Sequence, residues 1–179
     1  MPYDISAFKI LIKKIFPPKN CVFTLDTTGD GKPDSIKIQA INVIVPFVVP
    51  DHIEFEDFNS DNLDLNNIDT SKYVTIFLDN EPINLSKETV NLETLQERIQ
   101  IFHENVLFTV KDLREGKLSG KTIALGDTLG VIIKLTEDSL THFNKGKHIF
   151  KIESEFITGL EIDFELDEDN MNLSFKLDN

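Results

Sequence analysis

Between residues 160 and 167 every second side chain is apolar: Leu160, Ile162, Phe164 and Leu166 alternate with Glu161, Asp163, Glu165 and Asp167. Successive side chains of a strand point to opposite faces, so a segment with this period buries one face and presents a strongly acidic one. From Cys21 onward the same period recurs in short runs rich in β-branched and aromatic residues, separated by turn clusters. The runs predict strands over 21–25, 35–48, 73–79, 106–111, 129–135, 148–156, 160–166 and 171–177. Pro46 and Pro50 lack the ladder N–H and imply that the second run bends, breaks or lies at an edge. In the last third "HIFKIESEF", "LEIDFELD" and "MNLSFKL" are separated by "TG" and "EDN", which predicts two successive hairpins. The expected fold class is mainly β: an antiparallel β-sandwich of Greek-key or jelly-roll type. No fixed-period repeat points to a solenoid or propeller.

Two helices are expected beside the strands. Ile5, Phe8, Leu11, Ile12, Ile15 and Phe16 fall at three- and four-residue spacings over 4–16, with Asp4 as N-cap and Pro17-Pro18 as a stop. Lys9, Lys13 and Lys14 then form a cationic outer face, suited to docking on a membrane or acidic partner, or simply solvated on a helix packed against the domain. Leu92, Leu95, Ile99 and Phe102 predict a short internal helix at 91–98 with Asn91 as cap, while Ile99 and Ile101 equally suit a strand turning at "HEN". "NSDNLDLNNIDTS", residues 59–71, reads as a long polar loop. With 179 residues, 40% of them hydrophobic, the chain is expected to form a single domain over 1–179, with residues 1–18 packed on it.

Charge narrows the partners. The 31 acidic and 18 basic residues leave a formal net charge of −13, a field that repels phosphate backbones and anionic lipid, and the only arginines, Arg98 and Arg114, stand isolated. Nucleic acid is therefore not expected as a partner, nor is a membrane; a protein partner is. Cys21 is the sole cysteine, which rules out an intramolecular disulfide and a Cys-rich zinc site and fits a reducing compartment. The N-terminal residues lack the pattern of a signal peptide, and no run approaches the roughly 20 apolar residues of a spanning helix. A cytoplasmic location is expected.

One stretch carries ligand chemistry. "FTLDTTGDGKPDSIKI", residues 23–38, sets Asp26, Thr28, Asp30 and Asp34 at positions one, three, five and nine of a loop, with Gly31 for the sharp turn and the Lys32 carbonyl at seven. Through these residues it resembles the calcium loops of the EF-hand and of the integrin-type FG-GAP repeat, which implies Ca2+ as the ion. It departs from them at Thr28, where Asp or Asn is usual, and at Lys37, which stands where an EF-hand has its bidentate glutamate. Asp and Gly also favour tight turns without any ion, so both a calcium site and a bare hairpin turn stay open.

Other chemistry finds little support. His52, His103, His142 and His148 form no His-x-His cluster; "HIEFE" sets His52, Glu54 and Glu56 along one side of a strand, and "HFNKGKH" sets His142 and His148 across a turn, where ordinary surface histidines are expected. There is no Gly-x-Ser-x-Gly elbow and no phosphate-binding glycine loop, and Cys21 sits in an apolar strand where a thiol is usually inert packing. "VTIFLDNEPINLS", "VLFTVKDL", "IALGDTLGVIIKL" and "GKHIFKI" occur in an order that resembles the small β-sandwich subunit of bacterial C-glycoside deglycosidases over residues 73–155, through Asp79, Glu81, Pro82, Gly126, Asp127, Gly146 and His148. That resemblance implies an accessory subunit associated with a larger metal-carrying catalytic subunit, and it transfers no catalytic residue. The expected function is a non-catalytic binding or accessory module.

Overall fold

The computed structural model describes residues 3–4, 8–50, 74–83, 98–104, 106–154 and 157–175. In chain order they form β1 (Tyr3–Asp4), α1 (Lys9–Ile15), β2 (Val22–Asp26), β3 (Ser35–Ile41), β4 (Phe47–Val48), β5 (Val74–Leu78) and β6 (Glu81–Pro82). There follow β7 (Ile99–His103), β8 (Val106–Thr109), α2 (Val110–Arg114), β9 (Thr122–Ile123) and β10 (Thr128–Lys134). The chain continues with α3 (Glu137–Leu140), β11 (Gly146–Ser154), β12 (Ile157–Thr158), β13 (Leu160–Leu166) and β14 (Leu173–Ser174). The protein is mainly β. One sheet has six strands in the order β14-β2-β3-β10-β7-β8, another has four in the order β13-β11-β5-β6, and β1-β12 and β4-β9 are two-stranded. Within the large sheets every pair is antiparallel except β14 with β2.

Both large sheets contribute to one apolar cluster. Val22, Ile36 and Ile133 enter it from the six-stranded sheet, and Ile76, Leu78, Phe150, Ile162, Phe164 and Leu166 from the four-stranded one. The alternation over 160–167 thus aims its apolar members at this cluster, where each large side chain contributes roughly 1.5–3 kcal/mol before entropy. A second cluster of Val49, Phe108, Leu118 and Ile123, backed by Ile101 and Leu113, lies at the β7–β8 end. There α2 is set by a capping box: the Thr109 hydroxyl accepts the Asp112 N–H at 3.1 Å and Asp112 Oδ2 accepts the Thr109 N–H at 2.8 Å.

The N-terminal helix is shorter than its periodicity predicts. Asp4 lies in β1 opposite Thr158 and is no N-cap; the helix begins after Phe8, which makes no side-chain cap. Phe8 and Ile10 are exposed, and it is Ile12 that enters the core, with Phe16 packed against it. Two of the lysines have partners: Lys13 Nζ lies 2.8 Å from Asp163 and Lys9 Nζ 3.5 Å from Glu161, so the acidic side of β13 meets the cationic side of α1. These pairs are exposed and set orientation more than stability.

Of the two hairpins expected at the C-terminal end, one forms. β11 and β13 pair from Gly146↔Leu166 to Ile152↔Leu160, but β14 leaves β13 and pairs in parallel with β2, Leu173 opposite Leu25. Asn170 redirects the chain. Its buried side chain accepts the Asp167 N–H at 2.8 Å and donates to the carbonyls of Glu165 at 2.8 Å and Lys19 at 3.2 Å, while its own carbonyl takes the Thr24 N–H. Alternation identifies strands and not their neighbours, so the hairpin reading had no way to see this. Residues 99–103 take the strand alternative; residues 91–97 of the expected helix, the 59–71 loop and His52, Glu54 and Glu56 lie outside the described residues.

Replacing Asn170 with Ala leaves the Asp167 N–H and two carbonyls without their partner in a dry site. Urea denaturation should show a loss of about 2–3 kcal/mol, with the m-value unchanged; a loss under about 0.5 kcal/mol is the range of an ordinary surface site and would remove Asn170 from this role.

Candidate functional site

The loop between β2 and β3 holds all five residues singled out as calcium ligands. Gly29 and Gly31, at φ +80° and +86°, let the chain curl so that its N–H groups point inward. Asp26 Oδ1 accepts the Gly29 N–H at 2.6 Å and Oδ2 the Gly31 N–H at 2.8 Å, with the Thr28 hydroxyl at 3.3 Å from Oδ1. Asp34 Oδ2 accepts from the N–H groups of Thr27 and Thr28 at 3.1 and 3.0 Å, and its carboxylate also takes the hydroxyls of Thr27 and Ser35. Asp30 Oδ1 accepts only the Lys32 N–H, at 2.9 Å. Asp26, Asp30 and Asp34 do not bring three carboxylate oxygens within 4.8 Å of one another. The carboxylates face loop donors: partial burial would raise the Asp26 carboxyl, but the N–H groups of Gly31 and Gly29 and the Thr28 hydroxyl outweigh it and hold it below the usual range. Asp34 follows the same balance, its burial outweighed by Ser35, Thr27 and Thr28.

The described residues contain one trio of potential ligands whose donor atoms all lie within 4.8 Å: His103, Glu104 and Asp127. His103 ends β7, Glu104 begins the turn into β8, and Asp127 precedes β10, the neighbour of β7. His103 Nδ1 lies 3.2 Å from the Thr128 carbonyl, and Nε2 is buried without any partner, 3.9 Å from Glu104 Oε2. Nothing in the sequence joined these residues, because the antiparallel pairing of β7 with β10 is what brings them together.

The other described histidines behave differently from each other. His142 is exposed, whereas His148 is buried, not at the surface as expected. Its Nδ1 lies 2.7 Å from Asp79 Oδ2 and its Nε2 2.8 Å from the Asn144 carbonyl, so neither nitrogen is free to bind an ion. The ring stacks on Phe164 at 5.2 Å. Asp79 opens the Asp79–Asn80 turn at φ +52° and +71°, the backbone a tight hairpin demands, and also accepts the Ile149 N–H at 2.9 Å. Burial would raise the Asp79 carboxyl; the His148 and Ile149 hydrogen bonds outweigh it and hold it low.

A third feature is apolar. β4 and β9 form a ribbon, Phe47 opposite Ile123, stapled by Asn42, whose Nδ2 donates to the carbonyls of Val45, Ile123 and Ala124. On and beside the ribbon Ile44, Val45, Phe47, Val48 and Leu125 are 46–62% exposed, although each is large and apolar. A shallow groove runs from Phe47 past Ala40, Ile41 and Leu129 to Ile15 of α1, with Asp127 at its edge. No protein-family model matches the chain, and no curated protein matches its sequence.

Asp26, Asp34 and Asp79 all have carboxyls held below the ordinary value of 3.8, so each contributes stability that is complete above that value and lost as pH falls through its lower folded-state value. The melting temperature should therefore fall steeply on acidification below about pH 4, and Asp34→Asn should flatten that fall while lowering the plateau at pH 7. A variant profile parallel to wild type would deny the loop this role.

Proposed function

We propose that the chain is a non-catalytic, acidic binding or accessory module that docks a protein partner through the β4–β9 ribbon. The carrying observation is the run of large apolar side chains left in water at Ile44, Val45, Phe47, Val48 and Leu125. A contiguous apolar patch of this kind costs solubility unless something covers it, and such patches mark interaction surfaces. The net charge of −13, with Glu104 and Asp127 close by, favours a partner whose apolar contact surface carries a basic rim. An accessory subunit of a larger enzyme, which the likeness of residues 73–155 to deglycosidase small subunits implies, would use the ribbon in this way.

Two further elements belong to this reading. The two large sheets stack as an antiparallel β-sandwich within a single domain, supported by the apolar cluster they share. A cytoplasmic setting is consistent with a sole cysteine and hence no intramolecular disulfide; burial of Cys21, with the Asp163 charge adding to the effect, pushes its thiol up to about 12, poorly suited to nucleophilic or redox work. No helix among the described residues is long and apolar enough to cross a membrane.

We also propose a structural calcium ion at the β2–β3 loop, held by Asp26, Thr28, Asp30, Asp34 and the Lys32 carbonyl. Asp30 keeps Oδ2 free, whereas Asp26 and Asp34 would exchange hydroxyl and N–H donors of the loop for the ion, so binding requires the loop to rearrange around it. At a hundredfold excess over Kd, calcium should stabilise the protein by about 2.7 kcal/mol. Asp30→Ala, which gives up only the Lys32 N–H, should abolish the shift while leaving the calcium-free melting temperature unchanged. Equal responses of wild type and variant would reduce the loop to a turn.

The docking reading is tested by Phe47→Asp and Leu125→Asp, both on exposed positions. The wild-type chain should pull one stoichiometric partner from its native extract, and both variants should lose it with their melting temperatures intact. A partner retained by both variants, or depletion of a small molecule by the purified chain alone, would replace the module with another surface or with an enzyme.

A further inference from the structure

We propose that His103, Glu104 and Asp127 bind a divalent transition-metal ion, zinc being the one their donors suit best. A carbonyl oxygen only accepts, so the Nδ1 that lies 3.2 Å from the Thr128 carbonyl carries the ring proton. In the neutral ring Nε2 is then a bare lone pair, within a side chain that is 1% exposed, and no protein donor reaches it. Buried nitrogens are nearly always satisfied, and this one lies 3.9 Å from the Glu104 carboxylate in a trio completed by Asp127, and ionised carboxylates cannot donate. A cation supplies what all three lack.

The surroundings fit that assignment. A metal-bound imidazole typically donates its other N–H to a carbonyl or carboxylate, as Nδ1 does here to Thr128. Asp127 is braced by the Ala124 N–H on Oδ2 at 2.7 Å, which fixes the carboxylate while Oδ1 has no protein donor. Glu104 sits at φ +49°, where Asn or Gly is the ordinary turn residue, so the turn carries strain to keep a long carboxylate beside His103. Its Oε2 is 3.9 Å from Nε2, and bonds of about 2.0–2.2 Å to a tetrahedral ion set ligand separations near 3.4 Å. An exposed Glu104 closes that gap by rotation alone. One imidazole with two carboxylates argues for zinc over calcium or magnesium, whose shells are built of oxygen. Glu104 is exposed and Asp127 half-buried, so the remaining coordination positions open to water beside the apolar groove.

The competing arrangement is an imidazolium whose charge is balanced by the two carboxylates with no metal. Calorimetric titration of the chelator-treated full chain with zinc chloride at pH 7.5 separates the two. The expected result is one saturable zinc per chain, weakened about tenfold or more by Glu104→Gln and by Asp127→Asn and unaffected by Asp30→Ala. Glu104→Gln lies on an exposed turn and leaves the fold in place; in Asp127→Asn the amide oxygen still accepts the Ala124 N–H. Cobalt in place of zinc should give a visible absorption band that Glu104→Gln alters. Absence of saturable binding, or equal affinity in wild type and both site variants, would overturn the assignment.

Discussion

The apolar cluster common to the two large sheets is the interaction on which the other features depend. Phe150 and Phe164 meet edge to face at 6.3 Å within it, flanked by Ile162 and Leu166 from β13 and by Val22 and Ile36 across from them. Strands of both sheets place side chains in it, so apolar residues of one sheet are buried against those of the other. The segment after α1 gains its place from the same packing: Pro18 accepts the Glu165 N–H, and the buried Cys21 lies along β13, so a strand that would otherwise end the sheet with open ladder groups is covered.

At the other end the six-stranded sheet is covered differently. There the second cluster, built from Phe108, Leu118, Ile123 and Val49, is small, and the ribbon above it holds its shape through Asn42 and the Phe47–Ile123 pair. Of the ribbon strands only Ile123 of β9 is buried, while both residues of β4 stay in water. The exposed apolar side chains of the ribbon follow from that geometry, which is why the docking proposal and the zinc proposal fall at the same end of the molecule, with Asp127 common to the groove and to the trio.

Among the described residues, buried side-chain polar atoms divide into those the fold satisfies and the one it does not. Asp26 and Asp34 close their loop with backbone donors, Asp79 and His148 satisfy each other, and Asn170 ties the two sheets through Lys19, Glu165 and Thr24. Against that background the bare Nε2 of His103 stands apart, and an unpaired nitrogen in a dry site is a more specific signal than any count of acidic residues.

Period-two alternation is a local property, so the strands Val22–Asp26, Val74–Leu78, Thr128–Lys134, Gly146–Ser154 and Leu160–Leu166 were legible in the residues themselves to within a few residues at their ends, as was the turn at Gly29 and Gly31. Helix 9–15 was legible in type, but its start was not, because Phe8 and Asp4 are governed by what packs beside them and by the pairing of β1 with β12. Pairing between strands distant in sequence leaves no mark on either strand. For that reason only the tertiary structure decided that β14 joins β2, that residues 99–103 are strand, and that His103 meets Asp127. The sequence determined which faces are apolar and where the chain turns, since both follow from side-chain chemistry over a few residues. Which faces meet, and which polar atoms are left without a partner, depends on contacts between residues distant in sequence, which exist only in the folded chain.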